Sequence, residues 1–541
     1  MTVQPLGDAA VVLHLDGAVD GAMAARVHAI AGALARARLE GVTDIVPAFA
    51  SVAVFFERVP TAAMADIEAD LRAFVAGAET EKKSPPGRVL EVPVVYGGEH
   101  GPDLEAVAAH AGLPAAEVIA RHEAGDYLVH AIGFAPGFPY LGGLAAELAT
   151  PRRAVPRAQV PARSVGIGGA QTGIYPLASP GGWNLIGRTP LLLFDPRREP
   201  AALLRAGDRV RFRAVAEADF STASSKPPAS ERSAVDIEVL RAGMFTTVQD
   251  AGRRGHRAYG VPLGGAADPL ALRIANLIAG NDEQAAGLEC TLVGPTLRFH
   301  RDTVIAWGGA ETEALPGGRP IVVRAGETLA IGALRRGCRG YLAIGGGVSV
   351  PPVLGSRSTL VRAGLGGLEG RELRDGDGLP LGAGRQLTGG RAWRIDERIL
   401  PRYSAAPTVR VIPGAHAADF EGWPRREFAV SAQSDRMGVR LGGAVARRGS
   451  ARELVSTPVA PGTIQVPPGG EPIVLLADAQ TIGGYPQLAH VISADLPLVA
   501  QLRPGDAVRF VEVSLDEARR AAGAVERALG LLREGVARKF R

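Results

Sequence analysis

The chain has 541 residues, 46% hydrophobic and 21% charged, with a formal net charge of +4. At roughly 150 residues per domain this implies three to four domains, and the apolar share excludes wholesale disorder. Aromatic residues at 5% leave no surplus of rings for base stacking, so no nucleic-acid partner is expected, and the small charge excess identifies no partner by itself.

Glycine (70) and proline (40) are abundant, which favours short strands and tight turns over long helices. In chain order, VVLHL and SVAVFFE read as strands around an Ala-rich helix from Gly21 to Arg38, a small α+β domain over 1–80. A charged, Pro-containing stretch, ETEKKSPPGR (79–88), reads as a linker. Residues 89–215 alternate short β-branched runs with Gly and Pro turns, the pattern of a barrel or sandwich. A Ser/Ala/Pro-rich linker follows at 216–235, then a domain over 236–400, a weaker break near 397–408, a further domain over 401–515 and an amphipathic helix at 516–541.

An internal echo points to duplication. QTGIYP (171–176) and LLRAGDRVRF (203–212) recur in the same order as QTIGGYP (480–486) and LRPGDAVRF (502–510).

The densest signal is HAIGFAPGFPYLGGL (130–144) followed by VPARSVGIGGAQTGIYPLASPGGWNLIGRTP (160–190). So many glycines mean sharp turns or close approach, either barrel corners or a pocket wall. Gln171, Tyr175, Gly181, Gly182, Trp183, Asn184 and Arg188 are interleaved there, and Arg188 is the best anion clamp of this half. His130 reads as a structural histidine or a base. In the second half Asp268, followed by Pro269 and an apolar run, is a helix cap or an anion-receiving helix start. Arg253, Arg254, His256 and Arg257 form either a solvated loop or a phosphate or carboxylate site. Arg436, Asp478, Gln480, Tyr485 and His490 lie on turns that would make a second pocket wall.

Only four of the 60 basic residues are lysines (Lys82, Lys83, Lys226 and Lys539), all in predicted linkers or the tail, so an anion would be held by Arg, backbone N–H or a helix start. No GxxxxGK[ST], HExxH, paired CxxC or GxSxG motif occurs, which disfavours a Walker-type ATPase, a zinc protease, a zinc ribbon and a standard serine hydrolase. Two cysteines, Cys290 and Cys338, give neither a disulfide framework nor a metal-ligand spacing, and the metal ligands are left unassigned. With no secretory signal pattern and no apolar run of 18 residues, the expectation is a cytoplasmic protein with no membrane partner.

GFAPGFPYLGGL, PRRAVPRAQVPARSVGIGGAQTGIYP and SPGGWNLIGRTP resemble the allophanate hydrolase subunit 1 family, which includes the B component of bacterial 5-oxoprolinase. TVQDAGRRGHRAYGVPLGGAADPLALRIANLIAGN, LECTLVGPTLRF, SDRMGVRL and QTIGGYPQLAHVISADLP resemble the allophanate hydrolase subunit 2 family, which includes the C component. The resemblance spans about 1–215 and 236–515 and implies a B/C fusion, mainly β with α+β parts: tandem cyclophilin-like β-barrels behind the small N-terminal domain. It implies ATP-dependent activation of 5-oxoproline, by phosphorylation, for ring opening to L-glutamate with the separate A component of 5-oxoprolinase. ATP and Mg²⁺ are the implied cofactors, no biotin is carried on this chain, and a homo-oligomer is left open. The alternatives are a biotin-dependent carboxyltransferase component acting on urea or a related amide, and a non-enzymatic histidine-kinase regulator.

Within that resemblance, Asp268, Asp478 and His130 are the expected catalytic groups. Arg188, Gln171, Tyr175, Arg436, Gln480 and Tyr485 are expected to bind substrate, and Arg254, Gly181, Gly182 and Asn184 the nucleotide. Three positions depart from the pattern: Gly264 stands where Ser is common, Gln487 where Lys is common, and Arg163 where a small residue is usual.

Overall fold

A computed structural model describes residues 1–80, 87–216, 235–385, 393–447 and 454–540. The linkers at 79–88 and 216–235 fall largely outside the described residues, as do Lys82, Lys83 and Lys226.

Residues 1–80 form an antiparallel sheet in the order Thr2–Pro5, Ala10–His14, Ser51–Phe56, Val42–Pro47. Period-two alternation gives it two working faces. Val11, Leu13, Val52 and Val54 pack under helices α1 (Gly21–Ala37) and α2 (Met64–Thr80). Ala10, Val12, Ala53 and Phe55 turn the other way, into a core shared with both barrels.

The first barrel closes through seven strands in the order Gln171–Ile174, Pro139–Gly142, Tyr127–Ile132, Arg209–Ala214, Val89–Tyr96, Asn184–Arg188, Ser164–Gly168. Helices α3 (Leu104–Ala111) and α4 (Ala115–Ala124) pack Val107 and Val118 onto its core. The second barrel closes in the same sequential permutation: Ile473–Leu475, Gly438–Gly442, Glu427–Val430, Ala507–Glu512, Thr408–Pro413, Gln487–Val491, Thr463–Gln465. In each, the first and last strands run parallel, Val89 beside Arg209 and Thr408 beside Arg509. The chain is thus mainly β, with tandem barrels and a small N-terminal α+β domain, as predicted.

The Gly-Asp turns of the sequence echo are structurally equivalent. Asp208 accepts from the Arg205 N–H at 2.9 Å and Asp506 from the Arg503 N–H at 2.8 Å, each starting the last strand. The Gln-Thr echo is not equivalent. Gln171 opens a strand whose counterpart is Ile473–Leu475, whereas Gln480 lies in the connection after that strand. The likeness of those words reflects shared turn composition rather than shared position.

Between the barrels in sequence, a four-stranded sheet (Thr328–Ala333, Val293–Phe299, Ile237–Arg241, Gly378–Leu379) and a five-stranded sheet (Thr246–Gln249, Gly287–Thr291, Arg339–Ile344, Thr303–Gly309, Ile321–Val323) enclose one apolar core. Helix α5 (Pro269–Ile278) covers the outer face of the five-stranded sheet, and α6 (Leu496–Ala500) precedes the last strand of the second barrel. Helix α7 (Leu515–Ala537) starts at a Ser514/Glu517 capping box and lays Leu529, Leu532 and Val536 against α5. Among the described residues no helix is long and apolar enough to cross a membrane.

Candidate functional site at the seam between the barrels

The outer faces of the two barrels meet under the N-terminal sheet. A Cβ on Gly133 would run into Ile482 of the second barrel, and Ser456 hydrogen-bonds the Tyr140 hydroxyl across the join. Asp8 holds the second half by accepting from the Ser493 N–H at 3.0 Å, and Arg257 lies 4.3 Å over the Phe55 ring.

A shared β-bulge aligns the two faces without gaps. Leu185 pairs with Gly166 and Gly187 with Val165, leaving Ile186 as the extra residue; Gln487 pairs with Gln465 and Ala489 with Ile464, leaving Leu488. Gly181-Gly182-Trp183 therefore matches Gly483-Gly484-Tyr485, Leu185 matches Gln487, Arg188 matches His490, and Gly166 matches Gln465.

On the first barrel this face is aromatic. Side chains at Gly168 and Gly173 would approach the Trp183 ring to 2.6 and 2.9 Å, so glycine there makes the floor on which the indole lies. Phe138 meets Trp183, Tyr175 and Tyr140 edge-on at 5.6, 5.3 and 5.1 Å. Burial pushes the Tyr175 and Tyr140 hydroxyls up to about 12, which keeps both protonated at neutral pH.

On the second barrel the same face is polar. Thr463, Gln465, Gln487 and His490 are all buried. The Gln487 amide donates to Thr457 Oγ1 at 3.0 Å and to the Pro458 carbonyl at 3.1 Å. Gln480 donates to Gln465 Oε1 at 3.2 Å, and Gln465 Nε2 has no partner among the described residues. His490 lies 3.2 Å from Thr463 Oγ1, and burial lowers its pKa to about 4, so it is neutral at pH 7. A water-sized cavity of about 20 Å³ opens beside it, lined among others by His14, His416, Gln487 and His490.

Below the seam is a buried ionic cluster. Arg436 donates to Asp478 through Nε (2.9 Å) and Nη2 (3.0 Å), to Glu289 through Nη1 and to the Gly265 carbonyl through Nη2 (2.6 Å). Burial pushes the Glu289 carboxyl up, but Arg436 and Arg339 outweigh it and hold it below its ordinary value. Arg253 is fully buried, bonded to the Val353 and Ser358 carbonyls, and its Nη1 has no partner among the described residues.

These placements revise several sequence expectations. Arg436 uses all three of its nitrogens on protein groups, so its bidentate edge grips Asp478 rather than a substrate carboxylate. Asp268 caps α5 through the Ala271 N–H (2.9 Å), and its other oxygen accepts from Tyr403 (2.6 Å) and Gln501 (2.9 Å), so its carboxylate is engaged by three protein donors. Asp478 is committed to Arg436. His130 stacks on Phe49 at 5.1 Å with Nδ1 unpartnered, and burial lowers its pKa to about 4. Arg254 is exposed and pairs with Glu57 at 2.6 Å, away from the buried cluster.

Tyr175, Gly181, Gly182 and Asn184 come together on the first barrel, Asn184 donating to the Pro151 carbonyl at 2.9 Å. Gln171 pairs with Gly168 at the start of its strand. Arg188 donates to the Ala162 carbonyl at 2.9 Å and stands close enough to Arg163 to lower that guanidinium's pKa, after burial. Gln480 and Tyr485 flank the short strand Ile482–Gly483 at the second barrel, with Tyr485 44% exposed. Sequence reasoning missed Glu289, Gln465, His14 and His416. Only Glu289 leaves a signal, a single acid between Leu288 and Cys290 in an apolar strand.

Residues 1–204 match the family model described as carboxyltransferase domain, subdomain C and D, and residues 259–512 the one described as carboxyltransferase domain, subdomain A and B. The second half is 42% identical over 296 residues to the C component of 5-oxoprolinase from Escherichia coli (strain K12), covering 53% of this chain and 94% of the relative. The first is 40% identical over 231 residues to the B component of 5-oxoprolinase from Bacillus subtilis (strain 168), covering 40% of this chain and 94% of the relative. The chain is a fusion of the 5-oxoprolinase B-component and C-component families. The crystal structure of TTHA0988 matches the fusion with a TM-score of 0.79 at 34% identity, over 94% of this chain and 100% of that one. The fusion therefore shares its two-barrel arrangement with a solved protein along nearly its whole length.

Proposed function

We propose that the fusion is the B/C component of an ATP-dependent 5-oxoprolinase that activates 5-oxoproline for ring opening to L-glutamate, together with a separate A component. The observation that carries the reading is the presence, in one chain, of halves related to the B and C components whose barrel faces close on each other. Amide resonance protects a lactam from water. Attack of its carbonyl oxygen on the γ-phosphate of ATP would release ADP and leave an electrophilic carbon. One water adds there and the C–N bond breaks to a γ-glutamyl phosphate; a second water releases phosphate.

Arg188, with Arg163 beside it, is the proposed source of positive charge for the substrate carboxylate. Among the described residues no group of three or more His, Cys, Asp or Glu side chains is arranged to hold a metal ion. The test mixes the fusion with its A-type partner and follows ADP and glutamate. Release of both that depends on 5-oxoproline is expected. ADP release that ignores 5-oxoproline, or biotin-dependent carboxyl transfer in its place, overturns the reading.

A further inference from the structure

We propose that Gln465, on the outer face of the second barrel, reads the amide edge of a lactam ligand, and that the Gln480 carboxamide holds its place in the absence of ligand. The proposal rests on the reading above only for the identity of the lactam.

Three observations carry it. Gln465 is 1% exposed and its Nε2 has no acceptor among the described residues, and a buried donor is costly to leave unmade unless a ligand takes it up. The group lying against it is itself an amide: Gln480 donates to Gln465 Oε1 at 3.2 Å, at the long end of the ordinary range for an N–H···O bond. Gly483 then lies hard against the pair, its missing Cβ leaving just the room the two amides fill. A Cβ there would stand 2.8 Å from Gln465 Nε2, 3.3 Å from Gln480 Nε2 and 3.4 Å from Gln465 Oε1, so any larger residue would displace both amides.

A lactam carries its carbonyl and its N–H cis, on one edge of the ring. That edge matches a primary carboxamide, with Gln465 Nε2 donating to the lactam oxygen while Gln465 Oε1 accepts from the lactam N–H. Gln480 satisfies only the second of these and is half-buried on the Asp478–Gln480 connection, so it is the movable member of the pair. The first barrel has no such reader, because Gly166 stands at the matching position and Trp183 covers it.

Calorimetric titration of the full chain with 5-oxoproline and with its lactone analogue, in which ring oxygen replaces N–H, tests the assignment. The native chain is expected to prefer the lactam by about 10- to 100-fold. Gln465→Leu, close in shape and apolar, should bring that preference within about threefold, whereas Gln480→Ala should keep or strengthen lactam binding. A folded Gln465→Leu chain that keeps the native preference, or a Gln480→Ala chain that loses it, overturns the proposal. Unsubstituted 2-pyrrolidone separates the two readings. If it binds through Gln465 while 5-oxoproline does not, the amide reader stands and the 5-oxoprolinase reading falls; if the native chain binds neither lactam, both fall.

Discussion

The first barrel spreads Trp183 over a floor of glycines, while the second, with the same strand order and the same bulge, puts Gln465 where Gly166 stands and turns Tyr485 outward. Trp183 is 6% exposed and Tyr485 44%. One fold has thus been given two chemistries by side chains on a single face. The aromatic face cements the halves to the N-terminal sheet. The polar face keeps unsatisfied hydrogen-bonding capacity at the same seam, where a ligand's own polar groups can complete it. Inside the first barrel the polar groups are mutually satisfied. His122 meets the Tyr96 hydroxyl at 2.8 Å and Thr172 Oγ1 at 3.0 Å, so that histidine is structural.

The contrast extends to charge, where the largest effect is expected. Removing the guanidinium in Arg436→Ala would strip Asp478 of its hydrogen-bonded counter-charge and leave Glu289 only the more distant Arg339 at 3.9 Å, and should lower stability by about 3–5 kcal/mol in urea titrations. Arg254→Ala removes only an exposed pair with Glu57 and should change stability by at most about 1 kcal/mol. Equal losses would mean that the cluster is not the buried anchor its geometry indicates.

Trp183→Ala and Tyr485→Ala sharpen the comparison at matched positions. The first empties a packed aromatic site and should cost about 3–5 kcal/mol, whereas the second should stay within about 0.5 kcal/mol. Similar shifts in thermal midpoint for the two would break the claim that the faces differ in role.

The strand content and the glycine-floored wall were legible in the sequence, since eleven glycines between 133 and 187 have few uses other than turns and close approach. The barrel repeat was legible in its Gly-Asp turns but misread in its Gln-Thr words, because turns of like composition recur without like position. Gln465 was invisible: in TIQV, alternating Thr, Ile and Gln reads as an ordinary solvent-facing strand, and only the fold reveals that it is 1% exposed and packed against Gln480 and Gly483. Arg436 and Asp478 were found as residues, but sequence gives no means of seeing that they grip each other.

The polar face also predicts an acid response. His490 has its pKa lowered from 6.5 to about 4 by burial, so on acidification the unfolded chain takes up the proton first. Its stabilising contribution is intact above about pH 6.5 and drains as pH falls toward 4. Between pH 7 and pH 5 that amounts to about 2 kcal/mol, and His490→Asn should remove this share of the acid loss. A variant with an unchanged slope of stability against pH would place His490 in contact with solvent.

The smallest effect concerns Gly264, which lies at φ +62° with its open side toward the unpartnered Arg253 Nη1; a Cβ there would sit 3.4 Å from that nitrogen and 4.0 Å from Asp478 Oδ1. Gly264→Ala adds left-handed strain and offers nothing in return, a loss of about 1–2 kcal/mol. Gly264→Ser carries the same strain, yet its hydroxyl can accept from Arg253, which offsets about 1 kcal/mol or more. Serine should therefore exceed alanine in stability by about 1 kcal/mol in denaturant titrations. If the two are equal, the missing partner of Arg253 is not what position 264 controls, and the polar network ends at Asp478.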